Sequence, residues 1–249
     1  MTALLEVVGL SVDYGGLRAV DDLSLTVHDD AIMGFIGPNG AGKTTTIDAL
    51  CGFVACTGGS IVLDGHPIDS LPPFQRARAG LVRTFQSIEL FEDLSVEGNL
   101  LVAATPSRWW SPFLDAVAPR RGREQPHVAA ALETVGLGSS ASARPSDLSH
   151  GQRRLIGVAR AVAARPKLIL LDEPAAGLDS TETTALGRVL RSLPEQGIGV
   201  LLVDHDMSLV LDVCDQLTVV DFGHVIASGS PDQVRQDPIV IEAYLGGTS

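Results

Sequence analysis

AIMGFIGPNGAGKTTTIDALCG, residues 31–52, decides how the rest of the chain is read. An apolar run, Ala31 to Ile36, has the length of a buried strand. Gly37-Pro38-Asn39-Gly40-Ala41-Gly42-Lys43-Thr44 then fits G-x-x-x-x-G-K-[ST] at every fixed position. The pattern predicts a helix from Lys43 to Cys51, stopped by Gly52. Glycines at 37, 40 and 42 let backbone N–H groups approach phosphate oxygens with no Cβ in the way. The helix that follows aims its unpaired N–H groups and positive dipole end at the same anion. Lys43 adds a full charge for the β- and γ-phosphates, and the Thr44 hydroxyl is placed to ligand Mg²⁺. Asn39 and Thr45 belong to the same nucleotide-contacting set. The stretch reads as a cradle for a nucleoside triphosphate.

Working outward, 249 residues suit one or two domains with a substantial core. A formal charge of -12 disfavours nucleic acid as a partner, because neutralising phosphates needs a basic face. No apolar run approaches the roughly 18–20 residues that cross a bilayer. Leu4–Leu10 contains Glu6 and nothing near the start resembles a signal peptide, so a cytosolic chain is expected. Cys51, Cys56 and Cys214 lack metal-ligand spacing and read as small buried residues.

Before the cradle, Leu4–Val8, Leu10–Tyr14 and Leu23–Val27 read as short β segments, with turns at Gly15-Gly16 and Asp29-Asp30. Tyr14 either stacks on an adenine base or packs in its sheet. After the cradle, Ile61–Leu63 followed by Asp64-Gly65 predicts a hairpin. Pro72-Pro73 starts a short helix with Arg76 and Arg78 expected on its exposed side. A strand over Leu81–Phe85 ends at Gln86, where a glutamine can contact a metal ion and a mobile neighbouring segment. Helices are predicted over Val96–Ala104 and Val128–Val135. Between them Trp109-Trp110, Pro112, Pro119, Arg120-Arg121 and Arg123 show no periodicity; the tryptophans are expected to pin a long loop rather than anchor a partner or membrane.

Ser149 and Gln152 have capping-box spacing ahead of a helix with apolar positions 155, 159 and 162. An ordinary capped helix and a helix start presented to an anion both fit this pattern. Leu168 to Leu171 is a strand suited to burial on both faces, and it ends in Asp172-Glu173. Carboxylates at such a tip stand where ligands bind in open α/β folds. Asp172 is suited to hold Mg²⁺, and Glu173 to orient or deprotonate an attacking water. Gly177-Leu178-Asp179 turns into a helix of about Glu182 to Leu193. The next strand, Gly199–Val203, ends at Asp204-His205-Asp206. His205 lies near the γ-phosphate if this strand neighbours that of Asp172. The tail predicts a hairpin, Leu217–Val220 and Val225–Ala227, turning at Phe222-Gly223. Two closing helices start at Ser230-Pro231 and Asp237-Pro238.

Taken in order, Tyr14, the loop 37–44, Gln86, Leu148–Gln152, Leu168–Glu173, Gly177–Asp179 and His205 resemble the motif set of the ATP-binding subunit of ABC transporters. The resemblance spans essentially the whole chain. GPNGAGKTT, VRTFQ with LFEDLSVEGNLLVA, DEPAAGLD, DHDM and EAYLG are most similar to the larger ATPase subunit of branched-chain amino-acid importers. It implies an α/β fold: a P-loop NTPase (RecA-like) core with an N-terminal antiparallel β-subdomain and an inserted α-helical subdomain. Residues 1–86 and 166–249 would form the nucleotide-binding lobe and 87–165 the helical part. The implied cofactors are ATP and Mg²⁺, with Thr44, Gln86 and Asp172 at the metal and Glu173, His205 and Gln86 in catalysis. Tyr14 would stack on adenine. Ser149, Gly151 and Asp179 would meet the nucleotide or interface of an opposing subunit in a head-to-tail pair.

Implied partners are polytopic permease subunits, a second ATPase subunit and, indirectly, a solute-binding protein, at the cytoplasmic face of the membrane. One departure stands out: the family's Leu-Ser-Gly-Gly-Gln is Leu-Ser-His-Gly-Gln here, with His150 in place of the first glycine. Competing readings are an exporter or lipid-extracting ATPase, and a soluble ABC ATPase of cluster assembly.

Overall fold

Five consecutive buried residues form β3 (Ile32–Ile36), the strand on which the larger sheet is centred. The computed structural model describes residues 2–84, 89–104 and 126–245. In it β3 lies between β8 (Gly199–Val203) and β9 (Gln216–Asp221), parallel to both. Beyond β8 come β7 (Leu168–Asp172) and β6 (Leu81–Thr84), also parallel. Beyond β9 comes β10 (His224–Gly229), antiparallel, through a turn at Phe222-Gly223. The order is therefore β10-β9-β3-β8-β7-β6. The near-continuous apolar burial of β3, β7 and β8 is what a parallel sheet covered on both faces requires.

The second sheet is antiparallel, in the order β2-β1-β4-β5, built from β1 (Ala3–Tyr14), β2 (Leu17–His28), β4 (Gly58–Leu63) and β5 (His66–Pro67). The three short N-terminal segments expected from sequence are two 12-residue strands. Register shifts between Val7 and Leu10 interrupt the alternation on which strand reading depends. The irregularity sits where a Cβ on Gly59 would lie 2.5 Å from the Gly9 carbonyl oxygen, so the chain passing Gly9 needs a glycine at position 59.

Helix α1 (Lys43–Cys51) has the predicted bounds and ends at a left-handed Gly52. Helix α2 (Pro73–Ala79) corrects the reading of Arg76. Arg76 is 3% exposed, and only Arg78 faces outward, over the Phe74 ring. The Arg76 guanidinium donates to the carbonyls of Ala49, Leu50, Asp69 and Leu71 at 2.7–2.8 Å. It thereby caps the last turn of α1, adding to the bond that the Ala49 carbonyl already accepts from Gly52 N–H at 3.1 Å.

Contacts group the chain into two compact units, Met1–Gln86 with Pro166–Ser249, and Ser87–Arg165. In the first, Leu5, Leu10 and Leu23 of the antiparallel sheet share one core with Phe35 of β3 and Ile47 and Leu50 of α1. The second holds α3 (Val96–Ala104), α4 (Pro126–Thr134) and α5 (His150–Ala163). Its core contains Val96, Leu100, Val128, Leu132, Ile156 and Ala159. Of the predicted α5 stripe only Ala159 is fully buried; Leu155 and Val162 are half-buried, and Ile156 takes the central place. Asn99 is buried there with its amide bonded to Phe91 and Ser95. Trp109, Trp110 and the arginines beside them lie outside the described residues.

After β7 the chain forms α6 (Ser180–Glu195), which starts two residues earlier than its sequence pattern suggests because Asp179 caps it. Then follow α7 (Met207–Val213), α8 (Pro231–Gln236) and α9 (Pro238–Leu245). No helix of the described residues is long and apolar enough to cross a membrane.

Candidate functional site

The phosphate loop leaves the C-terminal end of β3 and enters α1. Gly42, at φ 98°, precedes the helix with no side-chain cap, so the first-turn N–H groups of α1 carry no capping side chain. A Cβ on Gly40 would meet nothing within 4 Å, whereas one on Gly37 would lie 2.1 Å from the Val220 carbonyl oxygen. The loop is thus open on its ligand side and packed behind. Lys43 Nζ donates to the Gly37 and Pro38 carbonyls at 2.7 and 2.8 Å. Burial lowers its pKa, while the charges of Glu173 and Asp172 act in the opposite sense.

The loop is braced from behind by the β9–β10 turn. Gly223 N–H donates to the Ala41 carbonyl, and Asp21 N–H donates to the Gly223 carbonyl, both at 3.0 Å. The last described helix also reaches the loop. Burial pushes the Tyr244 phenol up to about 12, opposed by a hydrogen bond from the Gly37 backbone. Asn39 and Thr44 are exposed, and Thr45 is half-buried at the helix start. Tyr14 is 47% exposed and ends β1 opposite Leu17. It is therefore not the packed strand tyrosine of the alternative reading.

The acidic tips converge because their strands are neighbours. Asp172 pairs with Val203 in the parallel β7–β8 ladder, which meets the condition set for His205. His205 Nδ1 lies 3.7 Å from Glu173 Oε1 and equally far from Asp204 Oδ1. Glu173 adopts a left-handed backbone, φ 47°, held by its N–H on the Val203 carbonyl at 2.7 Å. Such strain in a non-glycine residue persists where the surroundings enforce it, most often at functional sites.

Asp204, 2% exposed, was passed over in the sequence although it adjoins His205. Its carboxylate accepts from Ala175 N–H at 3.1 Å and Asp206 N–H at 2.9 Å, joining the turns after β7 and β8. Arg83 was also missed. It bonds Asp172 and Asp48, and the only signal was a charged residue inside an apolar strand.

The donors fit Mg²⁺ rather than a caged metal. Thr44 and Asp172 offer hard oxygens, and no cluster of three or more His, Cys, Asp or Glu capable of holding a metal occurs among the described residues. Mg²⁺ is commonly held by one or two protein oxygens with substrate phosphates and water completing its shell. Gln86 lies outside the described residues.

In the second unit, Ser149 caps α5. Its hydroxyl accepts from Gln152 N–H at 3.2 Å, and Gln152 Oε1 accepts from Ser149 N–H at 3.0 Å. Gly151 is buried in the first turn. Asp179 makes the same reciprocal box with Glu182 at the start of α6.

These features agree with what the chain resembles. The family model "ABC transporter" matches residues 20–176, and "Branched-chain amino acid ATP-binding cassette transporter" matches 224–248. BraF of Pseudomonas aeruginosa, a high-affinity branched-chain amino acid transport ATP-binding protein, is 42% identical over 249 residues, with 98% of each chain covered. LptB of Escherichia coli K12, a lipopolysaccharide export system ATP-binding protein, is 38% identical over 244 residues, again with 98% of each covered. The ADP conformation of MJ1267, an ATP-binding cassette of an ABC transporter, superimposes with a TM-score of 0.87 at 29% identity, covering 99% of this chain and 100% of that one. The chain belongs to the ABC transporter family, as one of its ATP-binding ATPases.

Proposed function

We propose that this ATPase powers uptake of a branched-chain or related amino acid through an ABC importer, bound peripherally to permease subunits at the cytoplasmic face of the membrane. The observation that carries the chemical part is the meeting of three strand tips, those of β3, β7 and β8, at one end of the parallel sheet. Ligands of open α/β sheets bind at that end. The direction of transport and the solute rest on the match of residues 224–248 and on relatives such as BraF. LptB favours the second reading, an export or lipid-extracting ATPase.

In this reading the loop N–H groups of Gly37, Asn39, Gly40, Gly42, Lys43, Thr44 and Thr45 surround the phosphates, and Tyr14 stacks on the base. Lys43 exchanges two loop carbonyls for phosphate oxygens, a stronger acceptor for a cation already partly desolvated. Thr44, Gln86 and Asp172 would hold Mg²⁺, which supplies charge neutralisation on the β- and γ-phosphates. Glu173 accepts a proton as water attacks the γ-phosphorus, and the bond to the departing ADP oxygen breaks. His205, beside Glu173, orients the water and the γ-phosphate. Ser149, Gly151 and Asp179 serve the nucleotide of a second ATPase subunit, identical or homologous, so ATP favours the paired state over the separate one.

The test is turnover and ATP retention by the full chain assembled with its permease. Glu173→Gln is expected to keep ATP bound and lower kcat by at least 100-fold. Hydrolysis at the parental rate removes Glu173 from the chemistry. Recovery of the chain with soluble partners alone, and never with membrane subunits, sinks the transport reading.

A further inference from the structure

Arg83 stands on β6, three residues before Gln86. Its side chain is 9% exposed, and its guanidinium forks between two elements. Nη1 donates to Oδ1 of Asp48 on α1 at 2.5 Å, and Nη2 donates to Oδ2 of Asp172 at the tip of β7 at 2.7 Å. The Asp172 carboxylate is itself only 12% exposed, and Arg83 is the cation in direct contact with it that offsets its desolvation. The second oxygen of Asp172 stays outside this contact.

Asp48 sits four residues beyond Thr44 on α1, on the same face of the helix one turn along. One guanidinium therefore binds together the elements that carry Thr44 and Asp172, two of the three residues assigned to Mg²⁺. A planar, permanently charged fork is suited to this; an ammonium is a point charge without the fixed spread.

We propose that Arg83 is a positioning residue for the metal end of the site, holding Asp172 and the Thr44 face of α1 in register for Mg²⁺. The proposal rests on the reading of Thr44 and Asp172 as metal donors. Groups that orient a metal's protein ligands change metal affinity by about 10–100-fold when removed. A plain strut between β6, α1 and β7 behaves differently: its loss weakens the fold and nucleotide binding with and without metal alike.

The experiment titrates Mg²⁺ into the full chain with the non-hydrolysable analogue AMP-PNP and reads nucleotide affinity, with EDTA for the metal-free limit. Arg83→Met is expected to raise the half-saturating Mg²⁺ about tenfold and to leave EDTA affinity within about twofold of the parent. Arg83→Lys, which keeps the charge and loses the fork, recovers part of the shift. Asp48→Asn, at a more exposed position, removes one arm and gives a smaller shift in the same direction. Should Arg83→Met fail to fold, Asp48→Asn decides alone.

An unchanged or lower Mg²⁺ requirement, or an equal loss of affinity in EDTA, overturns the positioning role. A parent whose AMP-PNP affinity ignores Mg²⁺ overturns the metal reading itself, and this proposal falls with it.

Discussion

At the scale of single residues, the groups that matter are those whose surroundings fix their charge and direction. Lys43 is held on two loop carbonyls with its pKa lowered by burial, and in the proposed site it exchanges them for phosphate oxygens. Lys43→Ala removes a charged hydrogen bond of about 1.5–3 kcal/mol, and is expected to weaken ATP binding about 10–100-fold by equilibrium dialysis. Asp206 offers a pH test. Its hydrogen bond from Ser208 holds the carboxyl below its ordinary 3.8, with burial opposing. A carboxyl lowered on folding adds stability above pH 3.8, and that contribution is withdrawn as pH falls through the lowered folded value. Urea midpoints of Asp206→Asn are therefore expected to fall less steeply than the parent's below pH 3.8, with the two curves parallel at neutral pH.

At the scale of elements, legibility followed how local the determining physics is. The loop and α1 were read to the residue because glycine, lysine and helix-stop chemistry act within a few positions. The strands β7 and β8 were equally plain, since burial on both faces leaves a continuous apolar run. The paired N-terminal strands were not, because an irregularity between Val7 and Leu10 breaks the alternation, at a place packed against Gly59 far along the chain. Arg76 was assigned to solvent for a similar reason. Its partners, the carbonyls of Ala49 and Leu50, belong to another helix, and no local pattern announces them. Arg76→Ala strips charged donors from four carbonyls and leaves a void at the end of α1. A loss of about 2–4 kcal/mol is expected, seen as a lower urea midpoint with an unchanged m-value. Of the candidate site, the adjacency of the strand tips carrying Asp172 and His205 was legible, but the fork of Arg83 and the stitch made by Asp204 were not.

At the scale of the whole molecule, a net charge of -12 bears on the pairing proposed above, where the second subunit is a copy of this chain. Like-charged partners repel over distances comparable to the Debye length, about 10 Å at 0.1 M salt. Nucleotide-driven pairing of purified Glu173→Gln is therefore expected to tighten as ionic strength rises from about 0.02 to 0.15 M, the Debye length shrinking with it. Sedimentation velocity at saturating ATP checks this; pairing that weakens with salt assigns the contact to complementary charges instead.

The brace behind the phosphate loop has a consequence for biosynthesis. Gly223 supports Ala41, and Ile32 N–H donates to Asp215 across a separation of 183 positions. A polypeptide emerging from the ribosome makes its glycine cradle early, yet lacks the buttress until Asp215 and Gly223 have followed, more than 170 residues later. A chain that stops short of Gly223 is therefore expected to retain nucleotide poorly, its cradle lacking the hydrogen bond that reaches Ala41 from behind.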